Sequence, residues 1–340
     1  MSGLVKLRPE WIAASINGGK LFGPEGVMVE FEEPGCGHVL HKGLFLQGLS
    51  EIAAGCGADI WPASDVTGVG PLATGGLTLT ISRAGEECSV TAGAVVAADG
   101  IESEVCRRIG IHDGLRSEDL FCCAQYTVAP IETDSHLVEF HFGREVAPGG
   151  YAWVFPKGGT VANIGIGIVP GGAGGLKPSG YLQRFKQRRC PESKILGYVV
   201  GGVPSVRSPH KACGSGVFAA GDAAGVADPV SGAGIVPGML SGAIAGTAAR
   251  RYAEDGSGVK AIEKQFAAGM KSVCRNRRVR FAVRKILAGM NDGELAGMVK
   301  ATGEYVAQGS GLRGDPFRLV RFLTKTMPKT FGLIRHLVGS

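Results

Sequence analysis

At 340 residues, 44% hydrophobic and 19% charged, the chain has enough apolar content for about two folded domains and is neither disordered nor low in complexity. Its net charge of +6 is uneven, because residues 260–340 hold 16 of the 36 basic residues and only 5 of the 30 acidic ones, a tail of +11 on a body of −5. Such a tail points to an anionic partner, a membrane surface or a phosphorylated ligand; nucleic acid is set aside because no binding motif accompanies the charge.

Nine cysteines with no C-x-x-C pair, a vicinal Cys122-Cys123 and no leader-like opening read as a reducing cytoplasmic setting without a metal site. The longest weakly polar stretch, Val217 to Ala249, is interrupted by Asp222, Asp228, Pro229 and Pro237 and is too broken to span a membrane.

In chain order, the opening residues read as polar and irregular. Leu44, Leu46, Leu49, Ile52 and Ala53 then recur at helical spacing, and Gly55 and Gly57 end that helix. A short strand is expected at Ala58–Trp61, followed by strands at Leu77–Ser82 and Val90–Ala98 and a short helix at Ser103–Ile109. Residues 120–170 hold four strand-like runs, LFCCAQYTV, LVEFHFG, YAWVFP and TVANIGIGIV, which predict an antiparallel sheet. A helix at Tyr181–Arg188, a strand at Gly216–Ala220 and a small-residue helix over Gly234–Asp255 follow, and the chain is helical in pattern from Ser257 onward.

The segment from Gly216 to Ile235 carries the chemistry. An apolar strand delivers Gly221-Asp222 to a turn, the place where open α/β sheets bind ligands, and a carboxylate there can accept hydrogen bonds from ribitol or ribose hydroxyls. Twelve residues on, Gly232-Ala233-Gly234-Ile235 opens a helix. Its glycines let the backbone approach a flat ring, and its free N–H groups suit the negative charge of a reduced flavin. Either tetrapeptide alone is an ordinary glycine turn; together, on strand, turn and helix, they favour a cofactor site.

This segment resembles the second FAD motif of the glutathione-reductase-like flavoproteins. VVAADGIESEVCRRIG resembles their central acidic-glycine motif, with Asp99, Gly100 and Ser103 in register. Tyr151-Ala-Trp153-Val-Phe155-Pro156-Lys157-Gly158 resembles the YxWxFPKG block of the geranylgeranyl reductase family, and it is followed, as there, by ANIGIGIV. GHVLHKGLFLQGLSEIAAGCGADI resembles the helix of that family's first domain.

The resemblance implies an α/β fold: a glutathione-reductase-like FAD-binding Rossmann domain (residues 1–118 and 206–256), an inserted antiparallel-sheet substrate domain (119–205) and a helical, basic C-terminal region (257–340). It implies FAD contacts at Asp99, Gly100, Asp222, Gly234 and Ile235, with Pro229 and Gly232 shaping the loop. Val66 takes the position of a backbone contact to the adenine side. Lys42 stands where the family has an arginine, keeping the charge and losing the planar fork. Tyr151, Trp153 and Phe155 alternate on a strand, so they face one side, as a lipid-tunnel wall or as plain sheet packing. No side chain stands out as the catalytic acid; Tyr151 and Lys157 are the polar candidates.

The implied activity is FAD-dependent reduction of geranylgeranyl double bonds on membrane-lipid precursors, with electrons from a reduced ferredoxin or NAD(P)H. A flavin monooxygenase or halogenase on the same scaffold is the rival reaction, and an inactive, lipid-associated binding protein the rival outside enzymology. One element of the family pattern is missing. Gly68-Val-Gly70-Pro-Leu-Ala73 fits G-x-G-x-x-G in letters only, with Pro71 after the second glycine and no helix behind it. The unit that cradles the FAD pyrophosphate is therefore expected to be absent and FAD binding weak, with an uncovered sheet edge left behind; a misplaced start, a split gene and a decayed copy all account for this.

Lys271–Lys285 holds seven basic residues and no acid, with Val279, Ala282, Val283, Ile286 and Leu287 on one helical face. Phe317, Val320, Thr324, Met327, Phe331 and Ile334 form a second stripe, flanked by Lys325, Lys329 and Arg335. Both fit either a helix lying on an anionic membrane or a solvated basic face over a core stripe.

Overall fold

The computed structural model describes residues 3–73, 75–171, 177–207, 211–255, 258–309, 311–312, 316–332 and 334; Ser257 and Arg335, named above, lie outside them. The opening stretch is not irregular. It forms a hairpin in which β1 (Ile12–Phe22) pairs antiparallel with β2 (Met28–Leu40). Register shifts at Ile12/Ala14 and Ile16/Gly18 break the two-residue alternation, so the strand leaves no pattern in the sequence. A Cβ on Gly18 would lie 2.1 Å from the Phe31 carbonyl oxygen, so only glycine permits this pairing.

The expected helix follows as α1 (Lys42–Gly55), but its buried face is Phe45 and Gly48 rather than the leucine stripe. Phe45 meets the Trp11 ring edge-on at 5.4 Å, and a Cβ on Gly48 would fall 2.3 Å from that ring. Leu44, Leu46 and Ile52 remain exposed.

No strand forms at 58–61. Pro62 follows directly and Ala63 sits at φ 51, so the chain turns there and extends only at β3 (Ser64–Pro71). β3 pairs antiparallel with β4 (Leu77–Arg83), and β4 with β5 (Glu86–Ala92). The first four residues of the glycine decoy Gly68–Ala73 are thus the end of an antiparallel strand, paired with residues 77–80, and not a turn that opens a helix. The run read as one strand over Val90–Ala98 divides at Gly93 and Ala94: β5 stays in the meander, and β6 (Val95–Ala97) enters another sheet.

Next come α2 (Glu104–Arg108), β7 (Leu120–Ala129), β8 (Leu137–His141), β9 (Tyr151–Pro156), β10 (Ala162–Ile168) and α3 (Pro178–Arg189). β11 (Lys194–Pro204) was not foreseen, since its glycines and largely exposed faces give it no period. The chain ends with β12 (Cys213–Gly214), β13 (Val217–Ala219), α4 (Ile235–Asp255), α5 (Val259–Val273), α6 (Arg277–Gly289), α7 (Asp292–Ala307), α8 (Pro316–Thr326) and α9 (Pro328–Phe331).

The chain divides into two units. One comprises residues 1–6, 50–120 and 203–281 and holds the β3-β4-β5 meander and the sheet β12-β13-β6. Its core gathers Phe218, Phe266, Leu77 and Val217, with Phe218 and Phe266 ring to ring at 5.3 Å. The other comprises residues 7–49, 121–202 and 282–340, around a seven-stranded sheet of order β11-β7-β10-β9-β8-β1-β2. Residues 7–49, read from sequence as part of the cofactor domain, fall here because β1 and β2 complete this sheet. The sheet is also not wholly antiparallel, since β1 and β8 run parallel. α3 seals one face by burying Tyr181, Leu182 and Phe185 against Ile164, Ile166 and Val154. Each such side chain contributes about 1.5–3 kcal/mol through burial.

Candidate functional site

In the first unit β6 and β13 run parallel, with Val95, Val96 and Ala97 opposite Val217, Phe218 and Ala219. β13 is buried throughout, as an uninterrupted apolar triplet in a parallel pair should be. Parallel strands bring their carboxyl ends to one edge, and the Ala220 N–H donates to the Ala97 carbonyl at 2.8 Å. Asp99-Gly100 and Gly221-Asp222 are therefore delivered to the same edge of the sheet. Gly100 and Gly221 have φ of 83° and 59°, the left-handed region that glycine enters without strain.

Asp222 begins a short turn, and a Cβ on Gly234 would lie 3.7 Å from its Oδ1. The carboxylate and the start of α4, twelve residues apart in sequence, thus share one small space that a side chain at 234 would fill. The Gly221 N–H donates to Ser241 Oγ at 3.0 Å, which ties the turn to α4 nearly two helical turns inside its start. The helical ladder opens with the Gly238 N–H on the Gly234 carbonyl at 2.8 Å. Ile235 and Val236 N–H precede that ladder, and Pro237 has no N–H to offer.

Between turn and helix, one carboxylate organises residues 228–233. Asp228 Oδ1 accepts from Val230 N–H (3.0 Å), Ser231 N–H (2.9 Å) and Ser231 Oγ (3.0 Å), while Oδ2 pairs with Arg280 of α6. The backbone closes on itself through Gly232 N–H to Asp228 O (2.8 Å) and Asp228 N–H to Ala233 O (3.0 Å). Gly232 sits at φ 66°. Buried Ser205 donates to the Pro229 carbonyl at 3.0 Å.

Val66 and Asp99 line a second part of this unit, a cavity of about 710 Å³ bounded also by Val95 and Ala97. Asp99 Oδ2 accepts the Val105 N–H at 2.9 Å and so caps α2. The lining is acidic, with Asp65, Glu102 and Glu104 present and its one cation, Arg108, held by Glu104 at 2.7 Å. Such a lining suits sugar hydroxyls and base edges and repels bare phosphates. Among the described residues no glycine turn opens a helix in the G-x-G-x-x-G manner.

In the second unit Lys42 is exposed at the first position of α1. The alternation expected on β9 is present: Ala152 and Val154 enter the core, and Tyr151, Trp153 and Phe155 occupy the opposite face. Trp153 lies 5.9 Å from Tyr151 and 6.0 Å from Phe155, and Phe140 of β8 meets Tyr151 at 5.5 Å and Phe155 at 5.8 Å. Trp153 Nε1 donates to Gln125 at 3.2 Å. The neighbouring strand explains how the indole fits. Ile164, Ile166 and Ile168 of β10 point into the core, whereas a Cβ on Gly165 would fall 2.2 Å from the Trp153 ring. The NIGIGI pattern therefore packs a core with one face and clears an aromatic platform with the other.

Two features of this unit bear on chemistry. Burial, with Cys122 alongside, pushes the Cys123 thiol up to about 12, which keeps it protonated and unreactive. Glu139, on the core side of β8, meets Arg189 Nη2 at 2.6 Å and His141 Nε2 at 2.9 Å. Burial raises its carboxyl, but the hydrogen bonds and charges of Arg189 and His141 outweigh that and bring it down to about 2. This cluster is structural, a carboxylate held charged inside the sheet unit.

Residues 119–203 match the geranylgeranyl reductase catalytic domain. A digeranylgeranylglycerophospholipid reductase of Methanothrix thermoacetophila is 32% identical over 99% of this chain and 87% of its own length. The chain belongs to the geranylgeranyl reductase family. The reductase of that name from Methanosarcina acetivorans is 38% identical over 76% of this chain, and the match spans 65% of the relative, just under two thirds. A geranylgeranyl bacteriochlorophyll reductase-like protein of Thermoplasma acidophilum superposes with a TM-score of 0.88 at 26% identity, covering 98% of this chain and 85% of that one. A flavin-dependent halogenase superposes at 0.66 with 14% identity, covering 93% and 66%, and shares the fold alone.

For this member of the family, the structure gathers Asp222, Pro229, Gly232, Gly234 and Ile235 at one turn, loop and helix start. It places Val66 and Asp99 on one cavity and Tyr151, Trp153 and Phe155 on one strand face. Ser205, Ser241 and Arg280 support the loop and left no signal in the sequence, because their partners are 20 to 52 residues away. Arg280 was read as part of a basic surface. In fact Arg277 and Arg284 are buried and Arg280 is paired with Asp228, whereas Lys271, Arg275, Arg278 and Lys285 of the same stretch are exposed. Among the described residues no helix is long and apolar enough to cross a membrane.

Proposed function

We propose that the chain works as a flavin-dependent reductase of prenyl double bonds on phospholipid precursors. The observation that carries this reading is the junction of Asp222 with the open start of α4, in a chain whose aromatic strand face falls within the matched catalytic domain. These residues fit the ring and ribityl end of FAD. Asp222 would accept from ribityl hydroxyls, Ile235 and Val236 N–H would face the pyrimidine edge, and Gly232 and Gly234 leave the flat ring room. Val66, Asp99 and Gly100 would border the adenosine end.

When bound and reduced, the flavin supplies a hydride which, with a proton, saturates a carbon–carbon double bond. The protein's own contribution is positional. Asp228, braced by Arg280 and its three loop donors, holds the loop; Tyr151, Trp153 and Phe155 offer an apolar platform to a prenyl chain and exclude water from it. The halogenase likeness extends to the fold and brings no oxygen chemistry with it.

The test is anaerobic incubation of the purified chain with FAD, dithionite and a geranylgeranyl phospholipid, followed by mass spectrometry. A gain of two hydrogens per double bond supports the reading, and Asp222→Asn should weaken FAD by ~10- to 100-fold, the scale of a hydrogen bond to a charged group. FAD bound at full occupancy with no saturation, or oxygen-dependent NAD(P)H consumption in its place, would overturn it.

A further inference from the structure

At the corner between α5 and α6 the chain turns through Asn276, at φ 62°, and there it borders an open cavity of about 280 Å³. Arg275, Arg277 and Arg280 line one side of it and Asp228, Pro229 and Ser231 another. The charges do not balance. Asp228 is committed to Arg280 and to three donors of its own loop. Arg277 is only 5% exposed, yet among the described residues no carboxylate forms an ion pair with it, and Asp228 acts on it through charge alone: Nε donates to the Val206 carbonyl at 2.8 Å and Nη1 to Cys274 Sγ at 3.8 Å. Its Nη2 is buried and has no acceptor among the described residues.

Cys274 supplies no counter-charge, because burial raises its thiol despite the neighbouring guanidinium. Arg275 is exposed and has no ion-pair partner among the described residues. The first N–H groups of α6, a helix of 13 residues, add positive potential at the same corner. A buried guanidinium without an anion is costly to a fold, and one with a free nitrogen is equipped to take an oxyanion.

We propose that this cavity is an oxyanion site, formed by Arg275, Arg277 and Arg280 beside the Asp228 loop, that receives the phosphate ester of the substrate. The assignment to substrate rests on the reading of the chain as a reductase of phosphorylated prenyl lipids; the oxyanion site itself does not. Phosphate matches the planar fork of arginine and tolerates the nearby Asp228 carboxylate, which Arg280 already neutralises. The site would anchor the polar end of a lipid next to the loop that borders the flavin.

The full chain is titrated calorimetrically with inorganic phosphate, with glycerol 1-phosphate and with glycerol, all at constant ionic strength. Saturable binding of both phosphates and none of glycerol is expected. Arg275→Gln, a change at an exposed position, should weaken phosphate by ~10-fold or more. Arg277→Lys, which keeps the charge and loses the fork, should abolish the rise in unfolding temperature that phosphate produces. No binding by the folded wild type, or binding that Arg275→Gln leaves unchanged, would overturn the site.

Turnover separates the two sources of phosphate. Inorganic phosphate should raise KM for a phosphorylated prenyl substrate while affecting a neutral prenyl alcohol far less; phosphate that binds without competing would overturn the assignment to lipid. Binding that persists in a chain without reductase activity would retain the oxyanion site and reject the reductase reading. Saturation activity with equal KM for both substrates and no phosphate binding would do the reverse.

Discussion

The loop 228–233 and the β9–β10 pair both depend on glycine, for opposite reasons. In the loop, Gly232 is required by its backbone, at φ 66°, and the space around it is open enough that a Cβ would stand 3.5 Å from Val203. In β10, Gly165 has an ordinary extended backbone and is required by space, since a Cβ there would enter the Trp153 ring at 2.2 Å. The loop is held by polar bonds converging on Asp228, and the aromatic platform by ring packing over bare backbone. Loss of a small residue should therefore be repairable in one region and not in the other.

The largest effect is expected on the core side of the platform sheet, where a comparable polar convergence lies. Glu139→Gln leaves the half-buried Arg189 without its anion and should cost about 3 kcal/mol, read as a drop in the urea midpoint. The same carboxylate makes stability depend on acid. Its folded value of about 2 lies below the ordinary 4.5, so its contribution is complete above pH 4.5 and is lost as pH falls toward 2. That loss should be about 3 kcal/mol, seen by chemical unfolding across that window and absent from Glu139→Gln.

Gly165→Ala should cost about 1–3 kcal/mol by overpacking, and trimming Trp153 to Leu in the same chain should recover most of it. Gly232→Ala should cost about 1–2 kcal/mol through backbone strain, and trimming Val203 should recover none of it. Recovery in both cases, or in neither, would erase the distinction between the two glycines. The smallest effect is expected from Ser205→Ala, about 1 kcal/mol for one buried bond to the Pro229 carbonyl, with loss of loop order visible in its amide exchange.

The same contrast decides how much could be read in advance. The Gly221-Asp222 turn, the glycines before α4 and the alternation of β9 were legible because each is a local constraint: a dihedral, a helix start, a two-residue period. The hairpin β1–β2 was not, because its bulges scramble the period and the other partner of β1, β8, lies far along the chain. The leucine stripe of α1 misled for a related reason. Helical spacing shows that a face exists, but Trp11, against Phe45 and Gly48, decides which face is buried.

By itself, then, the sequence determined the family, the Gly221-Asp222 turn and the aromatic strand face, since short-range backbone geometry and side-chain period are written in consecutive residues. Only the tertiary structure decided that residues 7–49 join the platform sheet, that Gly165 is space for an indole, and that Arg277 and Arg280 of a basic stretch turn inward at the Asp228 loop. Those outcomes depend on which residues meet across tens or hundreds of positions, where burial and charge pairing act and local propensity is silent.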